Sequence, residues 1–269
     1  MRCLYREKIY RCGDYLEVDI FPVYSQSGRG RKRRAKPTSD VQARLNQHHA
    51  ERALCRILNA NFTKEDIEIT LTYRRDELPA TYEEAYRDAQ NYLRRCKRLR
   101  ARLGLSELKY VLVPGEGRFH FHVVMNGGID RSTLEELWGR GYANSRRLQF
   151  NENGIEGLAK YIGRQVEDRT VSRLEREKGR KRFSCSRNVK APEPQERDGK
   201  LSQRRVEELA TFDSGSRSEF EKLYPGYYFS NSAPFYNEVN GGYYLCVQMY
   251  RKDAGFTRVK RRRQEAMKE

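Results

Sequence analysis

A chain of 269 residues that is 37% hydrophobic and 34% charged, with 18 Tyr and 11 Phe, holds enough bulky apolar material for one large domain or two ordinary ones. It contains no run of roughly 18 consecutive apolar residues, which excludes a helical membrane span, and Met1-Arg2-Cys3-Leu4-Tyr5-Arg6-Glu7-Lys8 has no apolar signal core, so cytoplasmic residence is expected. A net charge of +17, from 54 Lys and Arg against 37 Asp and Glu, favours a polyanionic partner, because each neutralised phosphate releases condensed counterions.

A merely soluble basic protein and a binder of anionic membrane are the alternatives, and no amphipathic membrane-seeking helix stands out. The 6 cysteines form no CxxC pair, which leaves zinc-ribbon and thiol-redox readings without support.

In chain order, residues 3–11 and 15–24 predict two strands joined at Cys12-Gly13-Asp14. A glycine-broken basic run comes next, in which Arg29, Arg31, Lys32, Arg33 and Arg34 serve either as a solvated linker or as an arm tracking phosphates. Ser39 or Asp40 is placed to cap a helix reaching about residue 59. Ile67-Glu68-Ile69-Thr70-Leu71-Thr72-Tyr73 alternates strictly and predicts a strand. Thr81-Tyr82-Glu83-Glu84 has the form of a capping box. It opens a helix to about residue 103, with Ala85, Ala89, Leu93, Cys96 and Leu99 on its apolar side.

Residues 108–113 predict a strand, Pro114-Gly115-Glu116-Gly117 a turn, and Phe119-His120-Phe121-His122-Val123-Val124-Met125 a further strand ended by Asn126-Gly127-Gly128. Ser132-Thr133-Leu134-Glu135 reads as a second capping box opening a short helix through Trp138. Residues 142–150 read as extended and 155–165 as helical, with Ile155, Leu158, Ala159 and Ile162 apolar. A charged, Arg-rich segment runs to Phe183, residues 190–200 read as a polar connection, and a last strand pair covers 227–229 and 242–250. This order predicts an α+β fold, an antiparallel β-sheet with flanking helices.

The strand with two of the chain's 4 histidines carries the chemistry. Side chains alternate along a strand, so His120 and His122 share one face and can reach one divalent ion. Glu116, in the preceding turn, is placed to supply an oxygen and complete a two-His-one-carboxylate set. The bland alternative is a His-x-His pair hydrogen-bonding water on a solvated face. Tyr161, in a helix with Lys160 and Arg164, has a phenol that is a weak nucleophile at neutral pH unless a metal and a neighbouring cation favour its charged form. Packing is its ordinary alternative.

The order of Ile69-Thr70-Leu71-Thr72, the Gly115-Glu116-Gly117 turn leading into His120-Phe121-His122, and the helical Tyr161 with basic Arg164 resembles the HUH endonuclease superfamily, closest to phage and plasmid rolling-circle initiators of the gene II type. The run from Arg182 to Asn188 is also similar to the segment after the tyrosine helix in that group. The resemblance spans about residues 60–190 and implies an endonuclease core with an RRM-like palm, flanked by residues 1–59 (strands, basic loop and helix) and residues 191–269 (a linker and strands packed on the core).

It further implies a metal-dependent enzyme that nicks and rejoins single-stranded DNA at a replication origin. His120, His122 and Glu116 would hold Mg²⁺ or Mn²⁺, and Tyr161, assisted by Arg164, would form a 5′-phosphotyrosine. Lys160 and the cations of the basic run would bind DNA. Arg164 stands where the family usually has lysine, and Gly157 and Gln165 occupy the positions of a second tyrosine, so a single-tyrosine enzyme is expected. The sequence lacks a Gly-x-x-x-x-Gly-Lys-Ser/Thr motif, which points to a host helicase and polymerase as partners. An HUH relaxase or transposase, or a noncatalytic basic nucleic-acid-binding protein, are the other readings.

Overall fold

The structure, a computed structural model, describes residues 3–24, 40–115, 118–150, 154–163, 182–211, 216–238 and 241–254. Its elements in chain order are β1 (Cys3–Cys12), β2 (Tyr15–Tyr24), α1 (Asp40–Asn61), β3 (Ile67–Tyr73), α2 (Tyr82–Arg102), β4 (Tyr110–Pro114), β5 (His120–Met125) and α3 (Arg131–Glu136). They continue with β6 (Gly141–Arg147), α4 (Glu156–Gly163), β7 (Ser184–Cys185), β8 (Gln195–Asp198), α5 (Gln203–Thr211), α6 (Ser216–Leu223), β9 (Tyr227–Asn237) and β10 (Gly242–Arg251). The class is α+β, with two antiparallel five-stranded sheets flanked by helices. No helix among the described residues is long and apolar enough to cross a membrane.

The chain divides into two compact units. One comprises Met1–Ser25, Gln149–Gly154 and Pro194–Glu269, the other Gln26–Leu148 and Ile155–Glu193. In the first unit the strand order is β8-β1-β2-β10-β9. Leu16, Val18 and Ile20 of β2 and Leu245, Val247 and Met249 of β10 form its core with Val206 and Leu209 of α5 and Phe220 of α6. Strands from both ends of the chain therefore share one sheet, which local periodicity does not reveal. Residues 190–200 are not all connection, because β8 lies there as an edge strand paired with β1. Similarly, β9 runs well past Phe229, to Asn237, along β10.

The second unit holds the histidine strand. Its sheet order is β6-β3-β5-β4-β7, so β3 and β5 are central neighbours. Ile67, Ile69, Leu71 and Tyr73 of β3 and Phe121, Val123 and Met125 of β5 enter one core, where Ala85, Ala89, Tyr92, Leu93 and Cys96 of α2 pack on them. As the sequence suggests, Thr81 caps α2 by accepting from the Glu84 N–H. For α3 the cap is Asp130 rather than Ser132: its carboxylate accepts from the Thr133 N–H at 3.2 Å and also takes the Ser132 hydroxyl. An aspartate there both satisfies a free amide and puts negative charge at the helix N-terminus, which a serine hydroxyl cannot do.

Trp138, the one tryptophan of the chain, is fully buried behind the sheet. Its indole N–H donates to the Thr72 carbonyl at 3.0 Å, and Tyr73 and Tyr92 stand edge-on to its ring. Its emission is expected to be blue-shifted and protected from soluble quenchers. Leu71→Ala, at a fully buried site on β3, is expected to cost about 2–5 kcal/mol, measured from the urea midpoint of that tryptophan signal.

Candidate active site

Phe121, Val123 and Met125 are taken by the core, so the pleat turns His120 and His122 to the opposite face of the sheet. Register then fixes their neighbours: on β3, Thr70 lies across from His122 and Thr72 across from His120, and on β4, Val113 lies across from His122. The two imidazole centroids are 5.1 Å apart, edge to face.

Each imidazole is oriented through Nδ1. His120 Nδ1 lies 2.8 Å from the Arg118 carbonyl, which can only accept, so Nδ1 carries the proton. His122 Nδ1 lies 3.1 Å from Glu68 Oε1 and 3.2 Å from the Thr70 hydroxyl, whose own proton goes to Glu68. Nδ1 of each ring is thereby engaged as a donor, which leaves Nε2 as the nitrogen a metal could take, the arrangement in which metal-binding histidines are oriented. Burial holds His120 below the usual imidazole range, partly opposed by the Arg118 carbonyl and reinforced by the neighbouring His122. His120 is therefore neutral at pH 7.

Gly115, just after β4, presses against His120. The Gly115 N–H donates to the His120 carbonyl at 2.9 Å, and a Cβ on Gly115 would stand 2.0 Å from His120 Nε2. Only glycine lets the imidazole lie across the turn. The residue preceding Glu116 thus touches the His120 ring, while Glu116 itself lies outside the described residues. Among the described residues, the groups of three or more side chains spaced to hold an ion do not include the histidine pair.

Glu68 organises the site, and sequence reading missed its role. It lies on β3, is 2% exposed, and binds across two strand boundaries. Oε1 accepts from His122 and from Thr70 at 3.0 Å, and Oε2 accepts from Arg146 Nε on β6 at 2.8 Å. Burial alone would raise the carboxyl pKa, but the bonds from His122 and Thr70 and the charge of Arg146 outweigh it and hold the group below the usual carboxylate range. The available signal was a lone carboxylate in a strictly alternating strand, two positions from Thr70 on the polar face.

Tyr161 comes from α4, where Ile155, Ala159 and Ile162 are buried. This places Tyr161 on the outer side of the helix, 62% exposed, with its ring centroid 5.6 Å from that of His122. Helix α4 contacts α1, and Ile162, Leu54 and Val113 line a small cavity of about 20 Å³ beneath it. His120, His122 and Tyr161, separate in sequence, thus meet at one place. Lys160 is paired with Glu156 one turn back at 2.5 Å. Arg164, Arg29, Arg31, Lys32, Arg33 and Arg34 lie outside the described residues.

Removing the Glu68 carboxylate leaves the buried His122 N–H without its charged acceptor, whereas the half-exposed Arg146 regains water. Glu68→Ala is expected to cost about 1–3 kcal/mol at pH 7, read from urea unfolding. Because the folded pKa of Glu68 is depressed, its contribution is present above the unfolded carboxylate pKa and is lost as pH falls through the folded value. The gap between the parent protein and Glu68→Ala should therefore narrow in acid.

No curated protein and no solved structure matches the chain significantly. Residues 66–166 match the family model of replication-associated proteins of the ORF2 and gene II protein type. This stretch runs from β3 to α4 and contains Glu68, His120, His122 and Tyr161, and over it the chain is similar to that family of replication-associated proteins.

Proposed function

We propose that this protein initiates replication by nicking one DNA strand at an origin and later rejoining it. Tyr161 is the nucleophile, and His120 and His122 are the metal-binding pair. The observation that supports this reading best is the 5.6 Å approach of an exposed phenol to a histidine pair in which both rings are oriented through Nδ1. The family match over the same residues supports replication as the setting.

The donor set suits a borderline divalent cation: two imidazoles, with Glu116 following the glycine that touches His120. Bound there, Mg²⁺ or Mn²⁺ supplies a Lewis acid for a phosphate oxygen. Tyr161 Oη forms a bond to phosphorus as the P–O3′ bond breaks. The phenolic proton leaves to solvent, which reaches this exposed side chain, and the departing 3′ oxygen takes up a proton. The products are a 5′-phosphotyrosine and a 3′-OH that primes a polymerase. Attack by a 3′-OH on the phosphotyrosine reverses the step and rejoins the strand, because the covalent link has kept the phosphodiester energy.

Glu68 acts as a positioning residue, holding the His122 ring and its tautomer. Arg164, three residues after Tyr161 in the sequence, has a permanent positive charge suited to offsetting that of a phosphate. The partners required are single-stranded origin DNA and a host helicase and polymerase.

Incubated with a single-stranded origin oligonucleotide and Mn²⁺, the protein is expected to form a covalent adduct visible on a denaturing gel. Tyr161→Phe should form none, and an adduct from that variant would remove Tyr161 from the nucleophile's role. His120→Ala combined with His122→Ala should lower cleavage by at least about 100-fold, at the scale by which metal-site disruption reduces activity.

The neutral state of His120 sets the pH profile. Protons compete for Nε2 only below its depressed pKa. In His122→Ala, where His120 is the remaining imidazole, Mn²⁺ affinity should hold from pH 7 down to the ordinary histidine range and fall only in more acid solution, by about tenfold per pH unit for each proton displaced. Titration calorimetry checks this, and an affinity already falling at pH 7 would contradict it.

A further inference from the structure

The face that carries the histidines continues past β3 to β6, an edge strand of the sheet among the described residues. Across this face Thr72 pairs with His120 on one side and Tyr142 on the other, and Thr70 pairs with His122 and Asn144. Arg146 lies across from Glu68 in the same way. Tyr142, Asn144 and Arg146 thus project in sequence from one strand, on the same side as the histidine pair. Adjacent strands are about 4.8 Å apart, so Tyr142 lies about 10 Å from His120 in the plane of the sheet.

Tyr142 and Asn144 are poorly explained by folding, and Arg146 only through one of its nitrogens. Tyr142 is 72% exposed, the most exposed of the large hydrophobic side chains among the described residues, and its side chain makes no hydrogen bond or ring contact with them. An isolated exposed tyrosine on an edge strand carries a large apolar ring in water without packing gain. The side-chain amide of Asn144 also makes no hydrogen bond among the described residues, and Asn144 is exposed. Arg146 is held through Nε by Glu68, so its two terminal nitrogens face outward without a bond to a described residue.

The position of this row is built, not incidental. A Cβ on Gly141 would stand 2.2 Å from the Thr72 carbonyl oxygen and 2.6 Å from the Arg74 nitrogen. Gly141 therefore lets β6 start tight against the end of β3, in the register that sets Tyr142 beside Thr72. Exposed cations gather at the same end: Arg74 and Arg75 directly follow β3, and Arg118 donates to the Tyr73 carbonyl at 2.6 Å. Arg74 and Arg75 form no ion pair among the described residues.

We propose that β6 is the track that holds the unpaired DNA strand beside the cleaved phosphate. Tyr142 stacks on a base one or two nucleotides from the histidine pair, Asn144 meets a base edge, and Arg146 binds a phosphate. This rests on the nicking function proposed above and names the part of the substrate that the site recognises. Tyr142 and Arg146 are four residues apart on a strand, about 13 Å, which is the span of about two nucleotides of extended single strand. An exposed aromatic face beside fixed guanidinium groups is the arrangement that captures single strands, since every base offers a π-face and every linkage a charge.

The test uses the full chain carrying Tyr161→Phe, so that binding is read without the covalent step. Affinity for a fluorescent single-stranded 20-mer is followed by anisotropy across a salt series. Tyr142→Ala should weaken binding by about 5- to 150-fold with an unchanged salt slope, while Tyr142→Phe stays within about twofold. On an abasic oligonucleotide of the same length the Tyr142→Ala effect should vanish. Arg146→Gln should instead lower the slope of log K against log salt by about 0.7, one phosphate on a single strand.

If Tyr142→Ala binds like its parent, or loses as much on the abasic strand or on a duplex, the stacking role is overturned. An adduct formed through Tyr161 in the otherwise unaltered chain would then leave the nicking function standing. Absence of both single-strand binding and adduct in the unaltered chain would overturn the two together.

Discussion

A buried carboxylate ties together the central and edge strands of the second unit. Glu68 sits on β3 and binds His122 on β5 through one oxygen and Arg146 on β6 through the other. A charge in this position is tolerable only because its lone pairs are filled and a cation stands at the rim. The same bonds that make its burial tolerable engage Nδ1 of the imidazole, so polar satisfaction and the orientation of the His122 ring are met by one group. His120 reaches the same state by a simpler device, a backbone carbonyl two residues earlier.

The sheet separates stability from chemistry by face. On one side Leu71, Phe121, Val123 and Trp138 pack against α2, with side chains that have no accessible surface or almost none. On the other side the polar row Glu68, Thr70 and Thr72 meets the histidines, and α4 brings Tyr161 over them. Packing on the first face makes the strands rigid, and rigidity of the strands is what holds two imidazoles and a phenol at fixed separations without side-chain crowding. Two glycines allow the backbone to come close at the margins of the site, Gly115 under His120 and Gly141 at the end of β3. In both places a methyl group would fall inside the contact distance of its neighbours.

Much of this was readable from local pattern. The strict alternation from Ile67 to Tyr73 gives the strand and its two faces, and the His-x-His spacing puts both imidazoles on the polar one. The Thr81 cap and the apolar spacing of Ala85, Ala89, Leu93 and Cys96 give α2. Pattern failed where partners are remote. Asp130 displaced Ser132 as the α3 cap because the helix begins at Arg131 and the Asp130 carboxylate accepts from the Thr133 N–H of its first turn. The polar strand β8 gains its identity only from pairing with β1, through Arg6–Asp198 and Lys8–Glu196 contacts between residues far apart in the chain.

The sequence by itself determined which residues share a face, since the twofold repeat of a strand and the near-fourfold repeat of a helix are local geometry. It also determined the chemical supply: two imidazoles at alternate positions, a tyrosine in a short helix, and an excess of cations for a polyanion. Tertiary structure alone decided who meets whom. The β3–β5 register chose Glu68 and Thr70 as partners of His122, the packing of Ile155, Ala159 and Ile162 turned Tyr161 toward the histidines, and the β3–β6 register carried the same face out to Tyr142. These are contacts between segments whose separation along the chain leaves no periodic trace, because register is set by the burial of whole faces and not by any neighbouring residue.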